Sequence, residues 1–412
     1  MIDIKDKSCC CGCGACIQCC PQSCISFGWD EEGFAYPKTD TSKCVDCGLC
    51  ERICPLQSTK EDREPLKVLA AYNKNEKSRL VSSSGGIFPL IAQHTIHRGG
   101  VVFGARFDDE WQVVIDSAES DDEWQSFRGS KYVQADTKET FIKCKDLLTQ
   151  GRRVVFTGTP CQIAGLKSFL RKDYEQLITV DVACHGVPSP KVWNDYLECE
   201  IRKHFKTARR AVAGKNTVFH SLSMMSLIKD IRFREKTDGW KKFRFVLRFA
   251  KSPDAGEKNS VLSSIHDKNP FFQAFNRGVI LRPSCYTCTL KNQCRSGSDL
   301  TLADFWGIEK VVPSMDDDKG TSLVLINTEK GERLFMELDV EMAETTYSVA
   351  LKYNAGLRVG SIIHPKRNWF FKKYQSSYNV TGLLRKSLQA PLRKRVRGVL
   401  SRIKQQLITL AK

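Results

Sequence analysis

From residue 67 onward, short apolar runs alternate with longer stretches whose apolar positions recur at steps of three and four. "VLAAY" (68–72), "GGVVFGARF" (99–107), "RRVVFTG" (152–158) and "LITVDVAC" (177–184) read as strands. "SGGIFPLIAQHTIH", "TKETFIKCKDLLTQG" and "SPKVWNDYLECEIRKHF" read as helices, two of them opened by Ser or Thr caps. The alternation predicts a mixed α/β middle region. Within it, "IKDIRFREKTDGWKKFRFVLRFA" (228–250) has period-two character around a DG pair, which predicts a hairpin. Ahead of residue 58 the apolar stretches are shorter, "CISFGW" and "GFAYP", and fit hairpin strands between cysteine-rich loops. "STKEDREPL" (58–66) is polar, charged and closed by proline, the composition of a linker. The division is therefore 1–60, 61–365 and a basic helical segment over 366–412, with α+β or α/β as the fold class.

Cysteine usage changes the picture most. Nineteen cysteines with no secretory leader point to metal–thiolate chemistry in a reducing, cytoplasmic compartment rather than to disulfides. Cys10, Cys13, Cys16 and Cys20 precede Pro21, and Cys44, Cys47, Cys50 and Cys54 precede Pro55; both runs read C-x2-C-x2-C-x3-C-P. In this bacterial-type ferredoxin spacing three thiolates wrap one [4Fe–4S] cube and the fourth reaches the other. One cluster would use Cys10, Cys13, Cys16 and Cys54, the other Cys44, Cys47, Cys50 and Cys20. Zinc sites use paired CxxC units and have no need of a triple run closed by proline. Cys9, Cys11, Cys19 and Cys24 fall outside the register and read as packed thiols.

Six further motifs occur in order: "SSSGGIF" (82–88), "GGVVFGARF", "FRGSKYVQAD" (127–136), "VVFTGTPCQIAGLK" (154–167), "VACHGVPSP" (182–190) and "RPSCYTC…DLTLADFWG" (282–307). Over about residues 5–310 the chain resembles the coenzyme F-420 hydrogenase/dehydrogenase beta-subunit family, whose relatives include ferredoxin-dependent reductases of chlorophyll-type pigments. A ferredoxin segment fused ahead of the beta-subunit domain is an arrangement of that family, and its bacterial members often sit with polysaccharide-synthesis functions. The resemblance implies FAD and a third [4Fe–4S] cluster in the middle domain.

No GxGxxG follows a strand, so an FAD pyrophosphate would need other groups. Ser83, Ser84, Gly85 and Gly86 precede a helical stretch, and a helix start with hydroxyls and glycines suits an anion. Gly129, Ser130 and Lys131 would add a second contact; the plainer reading of both is a helix cap and a tight turn. For the third cluster, Cys285 and Cys288 form a CxxC and Cys184 ends a strand. The fourth position lies between Cys161, within a family motif at a helix start, and Cys294, nearer in sequence. His185 would relay a proton or simply bond backbone. His94 and His97 lack a third ligand, Cys144 and Cys199 sit on helical patterns as core thiols, and Asp304 and Trp306 would shape a cluster wall.

Charge enters last. Of the formal +17, residues 366–412 supply 13 basic side chains and no acidic one. At the helical step Leu392, Val396, Val399, Leu400, Ile403, Leu407 and Leu410 share an arc of about 100° flanked by arginines. Such a helix suits an anionic membrane surface, here the inner face of the cell membrane, or packs its apolar face on the body. Nucleic acid is not expected as a partner, because no binding motif accompanies the charge. No 18-residue apolar run exists to cross a membrane. The expected function is an oxidoreductase passing electrons between clusters and FAD, with ferredoxin or another redox protein as partner. A deazaflavin or small organic molecule would be its substrate, with a role in surface polysaccharide synthesis. The alternative is an electron-transfer adaptor with no substrate of its own.

Overall fold

The apolar alternation becomes an eight-stranded sheet with helices on both faces. The computed structural model describes residues 1–57, 61–211, 224–250, 261–291, 293–358 and 360–389, with side chains along the helix Pro190–Ala211 described as far as residue 205. The strands are β1 (Ile25–Trp29), β2 (Ala35–Thr39), β3 (Lys67–Asn73), β4 (Val101–Phe107), β5 (Val113–Ala118), β6 (Val154–Gly158) and β7 (Leu177–Val182). They continue with β8 (Ile228–Glu235), β9 (Arg244–Phe249), β10 (Val261–Ile265), β11 (Leu300–Asp304), β12 (Ser322–Ile326) and β13 (Val340–Thr345). The main sheet runs β13-β3-β12-β11-β7-β6-β4-β5. β4, β6, β7 and β11 form a parallel ladder, while β12 lies antiparallel between β11 and β3. Two antiparallel steps restore direction, so β3 points the same way as β11. Five strands thus end on one edge, where ligands of open α/β sheets bind.

Successive residues of each central strand serve opposite layers. Val101, Phe103, Val154 and Phe156 pack with the helices Thr140–Thr149 and Pro160–Leu170. Val102 and Val155 pack on the other face with Ile87, Ile91 and Ala92 of the helix Ile87–His97. Each such side chain removed from water contributes roughly 1.5–3 kcal/mol before entropy is counted. Between β7 and β11 the chain inserts the helix Pro190–Ala211, the helix Pro270–Asn276 and a separate antiparallel sheet, β10-β9-β8. The hairpin expected over 228–250 is its β8–β9 pair.

The cysteine-rich region is built around the β1–β2 hairpin, and it shares the main core. Cys10, Cys13, Phe34, Tyr36 and Ile53 belong to the same buried cluster as Phe103, Phe156 and Trp193. Polar ties reinforce this docking. Thr137 donates to the carbonyl of Cys13 (3.0 Å), and Ser189 donates to that of Glu32 (2.6 Å). Arg367 binds Glu32 bidentately, at 2.8 and 2.5 Å, with both side chains largely buried.

That last contact departs from the expected tail. Residues 366–389 form the helices Arg367–Tyr374 and Val380–Leu388, whose Phe370, Phe371, Tyr374, Val380 and Leu384 enter the main core. The basic residues hid this because their apolar neighbours recur at helical spacing on the opposite face. The amphipathic stretch from 391 onward lies outside the described residues. Among the described residues no helix is long and apolar enough to cross a membrane. The end of the linker is tied down: the Leu66 N–H donates to the carbonyl of Ile326, at the end of β12 (2.7 Å).

Candidate redox site

Each cysteine run turns at a glycine just after its second thiol. Gly14 (φ 76°) and Gly48 (φ 68°) adopt the left-handed conformation that starts the short helices Ala15–Gln18 and Leu49–Arg52. The turns fold the thiols inward around two small cavities. One is lined by Cys10, Cys13, Cys16 and Cys54 with Ile2, Ile4, Phe27 and Pro55. The other is lined by Cys20, Cys44, Cys47 and Cys50, and Cys47 is exposed. The cavities adjoin, since Cys50 lies close enough to Cys16 and Cys54 to influence both thiols.

A third set forms at the carboxyl edge of the sheet. Cys161 lies in the first turn of the helix Pro160–Leu170, just beyond β6, where a Thr159/Gln162 capping box fixes the backbone. Cys184 follows β7 by two residues, and Cys285 and Cys288 come from the loop after the helix Pro270–Asn276. Burial first, and then Cys285 and Cys161, push the Cys184 thiol up; burial and then Cys161 do the same to Cys288. Cys285, chiefly through burial, is pushed up to about 12. Its sulfur accepts from the Val187 N–H at 3.4 Å. Thiols so raised stay protonated unless a metal takes the proton's place. Cys294 lies apart, donating to Asn327 Oδ1 (3.2 Å) beside Asp181. Of the two contenders, Cys161 is the one brought to the third set. Among the described residues no three His, Cys, Asp or Glu side chains converge closely enough for a single metal ion.

Two cysteines outside the register have partners there. The Cys20 and Cys24 sulfurs are 3.3 Å apart. Burial opposes ionisation of Cys20, but the N–H and thiol of Cys24, with the N–H groups of Gln22 and Ser23, bring it down overall. Cys24 thereby supports a thiolate at Cys20. Cys11 interacts with both Cys13 and Cys161, spanning the first and third sets. Cys144 is sealed in the core, and Cys199 donates to the carbonyl of Tyr378 at 3.5 Å.

The two anion-binding candidates come together on the same edge. The Ser130 N–H donates to Ser83 Oγ at 2.8 Å, and the two hydroxyls are 3.0 Å apart. Gly85 is required by close approach, since a Cβ there would stand 2.5 Å from the carbonyl oxygen of Ala71 and 2.7 Å from the nitrogen of Ser322. Ser84 donates to the carbonyl of Thr321, Gly86 leads the helix Ile87–His97 at φ 80°, and Gly129 (φ 80°) faces open space. Burial pushes Lys131 down to about 7; its amine donates to the carbonyls of Arg128 and Gly129. Lys236 is also pushed down to about 7, mainly by burial, and donates to the carbonyl of Ser84 at 2.6 Å. Among the described residues neither lysine has a carboxylate within ion-pair distance. A partly desolvated Lys131 amine beside the paired serines fits an anionic group such as a pyrophosphate. The Lys236 amine is committed to the carbonyls of Arg79, Ser84 and Lys319 and braces the loop instead. Lys236 carried no sequence signal, because it looked like one more charge in a hairpin.

Asp304 is bound by Arg234 and by Trp240 Nε1 (2.9 Å), and Trp240 stacks on Trp306 at 4.9 Å. Asp304 is thus a structural anchor. Burial lowers His185, whose ring bonds the backbone of Phe275 and Asn276, so it is neutral at pH 7 and fits the backbone-bonded reading. His97 pairs with Asp121 (2.8 Å) and His94 with Glu337 (3.5 Å), both near the surface.

Two thiol-lined cavities docked on an α/β sheet, with a further set of thiols at its ligand edge, fit an iron–sulfur protein of oxidoreductase type. Residues 151–348 match the family model for the C terminus of the beta subunit of coenzyme F420 hydrogenase/dehydrogenase, and residues 37–57 match a 4Fe–4S binding domain. These two matches support the F420 hydrogenase beta-subunit-like family for residues 151–348 and a 4Fe–4S ferredoxin region ahead of them. Among solved structures it is similar to a chain of the F420-reducing [NiFe] hydrogenase complex from Methanosarcina barkeri, determined with xenon. That likeness has 14% identity and a TM-score of 0.42, and it covers 80% of this chain and 93% of the other. No curated protein matches the chain.

Proposed function

We propose that the chain is an iron–sulfur flavoprotein oxidoreductase with three [4Fe–4S] clusters and one FAD. Cys20, Cys44, Cys47 and Cys50 would hold the cluster nearest the surface. Cys10, Cys13, Cys16 and Cys54 would hold the next, and Cys161, Cys184, Cys285 and Cys288 the innermost. The observation that carries this reading is their succession: Cys50 adjoins the first set, Cys11 joins that set to Cys161, and the third set shares its sheet edge with Ser83, Ser130 and Lys131. The serines and Lys131 would orient an FAD pyrophosphate, while the aromatic packing around Tyr132 limits water. Bound there, FAD would supply the junction between one-electron carriers and two-electron chemistry. His185 is assigned no step. The substrate class is a deazaflavin or small organic molecule, and the partner is ferredoxin or another redox protein meeting the exposed Cys47 side. A place in surface polysaccharide synthesis follows from the family resemblance.

Anaerobic purification with iron and flavin measured per chain tests this. About twelve irons, four per cube, with about one FAD is the expected result. About eight irons and no flavin would replace it with the electron-transfer adaptor. Reduction of the flavin by dithionite-reduced ferredoxin is the second check, and its failure would count against electron transfer between the clusters and FAD.

A further inference from the structure

Arg282 precedes the Cys285–Cys288 loop, and none of its side chain reaches solvent. Its Nε donates to the carbonyl of Cys10 (2.7 Å) and its Nη1 to Gln134 Oε1 (3.1 Å). Its Nη2 donates to the carbonyl of Ala35 (2.9 Å) and to the sulfur of Cys10 (3.4 Å). The guanidinium also lies over the rings of Tyr36, at 4.3 Å, and Phe34, at 5.5 Å. Gly12 makes room for it: a Cβ there would stand 2.9 Å from Nη1 and 2.5 Å from Gln134 Nε2. Among the described residues no carboxylate pairs with this arginine. A cation sealed from water needs a counter-charge, and the acidic groups nearest its fork are the thiols of Cys10 and Cys11 and the Tyr36 hydroxyl. It also lies near enough to Cys161 and Cys285 to favour their thiolates.

We infer that Arg282 is the built-in counter-ion of the cluster held by Cys10, Cys13, Cys16 and Cys54, and that it raises that cluster's reduction potential. Net charge and hydrogen bonds to ligand sulfur are the levers by which a protein sets such potentials. The step concerned moves one electron from the surface cluster to this one; no bond forms or breaks, and the guanidinium keeps its proton. Fixed positive charge at Cys10 stabilises the added electron and so favours its transfer from the surface cluster to this one. Arg282 is a positioning residue in this scheme, and the inference rests on the cluster reading above.

The test is an EPR-monitored redox titration of the full chain, purified without oxygen, with iron counted in parallel. Arg282→Gln removes the charge, Arg282→Lys keeps it without the fork, and Gln134→Glu leaves the arginine but gives it a carboxylate. With iron intact, one cluster potential should fall in Arg282→Gln and Gln134→Glu, and fall less in Arg282→Lys. Unchanged potentials in loaded variants would overturn the inference. Should Arg282→Gln lose iron, Gln134→Glu decides: a lowered potential supports the role, an unchanged one refutes it. A wild-type chain with no [4Fe–4S] signal would instead sink the cluster reading, a distinct outcome.

Discussion

Replacing Cys161 by alanine should remove one whole cube. Four thiols make up the third set, and a cubane left with three protein ligands is easily lost. Iron should therefore fall from about twelve to about eight per chain, with sulfide falling in proportion. Cys11 complicates the measurement, because its thiol already interacts with Cys161 and could stand in for it. The decisive protein is thus the pair Cys11→Ala/Cys161→Ala, compared with Cys11→Ala alone. Cys294→Ser is the control: the hydroxyl can keep the hydrogen bond to Asn327, so stability should change by about 1 kcal/mol or less and iron not at all. Colorimetric iron and sulfide, with EPR of the reduced proteins, read all four chains. Full iron in the double variant, together with loss of four irons in Cys294→Ser, would refute the assignment of Cys161.

Three further outcomes follow from the packing and the buried charges. Glu32→Ala leaves Arg367 buried without its carboxylate and should cost about 3–5 kcal/mol in urea unfolding; a loss under about 1 kcal/mol would mean the pair is dispensable. Asp181, raised to about 6 by burial and with Oδ1 unpartnered, favours the fold when protonated; that contribution is lost as pH rises through 6. Asp181→Asn should gain on wild type above pH 7, on the order of 2–3 kcal/mol, and show no gain below pH 4; denaturation at the two pH values checks it. Lys131, pushed down to about 7, binds its proton less readily in the fold than in the unfolded chain, so its penalty eases between pH 7 and 10. In flavin-free protein the wild type should therefore gain thermal stability relative to Lys131→Met over that range, and parallel curves would count against a desolvated amine.

The strands and helices of the middle region were legible because each obeys one clear period. Val101, Phe103, Val154 and Phe156 face one layer and Val102 and Val155 the other, so the strands read as apolar runs. The cysteine spacing was legible because a cube demands thiols at fixed steps along one loop. Strand order was not, because β12 enters between β3 and β11 from more than two hundred residues away from β3. Arg282 and Lys236 were invisible for a related reason: a basic side chain signals burial only through what surrounds it in space. Cys24 and Cys11 were set aside as out of register, yet the first supports Cys20 and the second spans two sets. Helix was expected within 366–389, but its burial in the core was masked by charge, the inward faces recognisable only against the helices Pro190–Ala211 and Pro270–Asn276.

The shared core of the cysteine-rich region and the sheet has a consequence for how the protein is made. Cys10 and Cys13 are wall residues of the same interior that Phe156 and Trp193 fill, and Arg367, near the end of the described chain, latches onto Glu32. Maturation cannot proceed as independent modules loaded one after another during synthesis. The amino-terminal loops must wait for late-synthesised helices before they are enclosed, and until then their thiols are open to oxygen. Filling of the thiol-lined cavities and closure of the core are thereby coupled, so loss of iron should loosen the sheet as well as the amino-terminal loops.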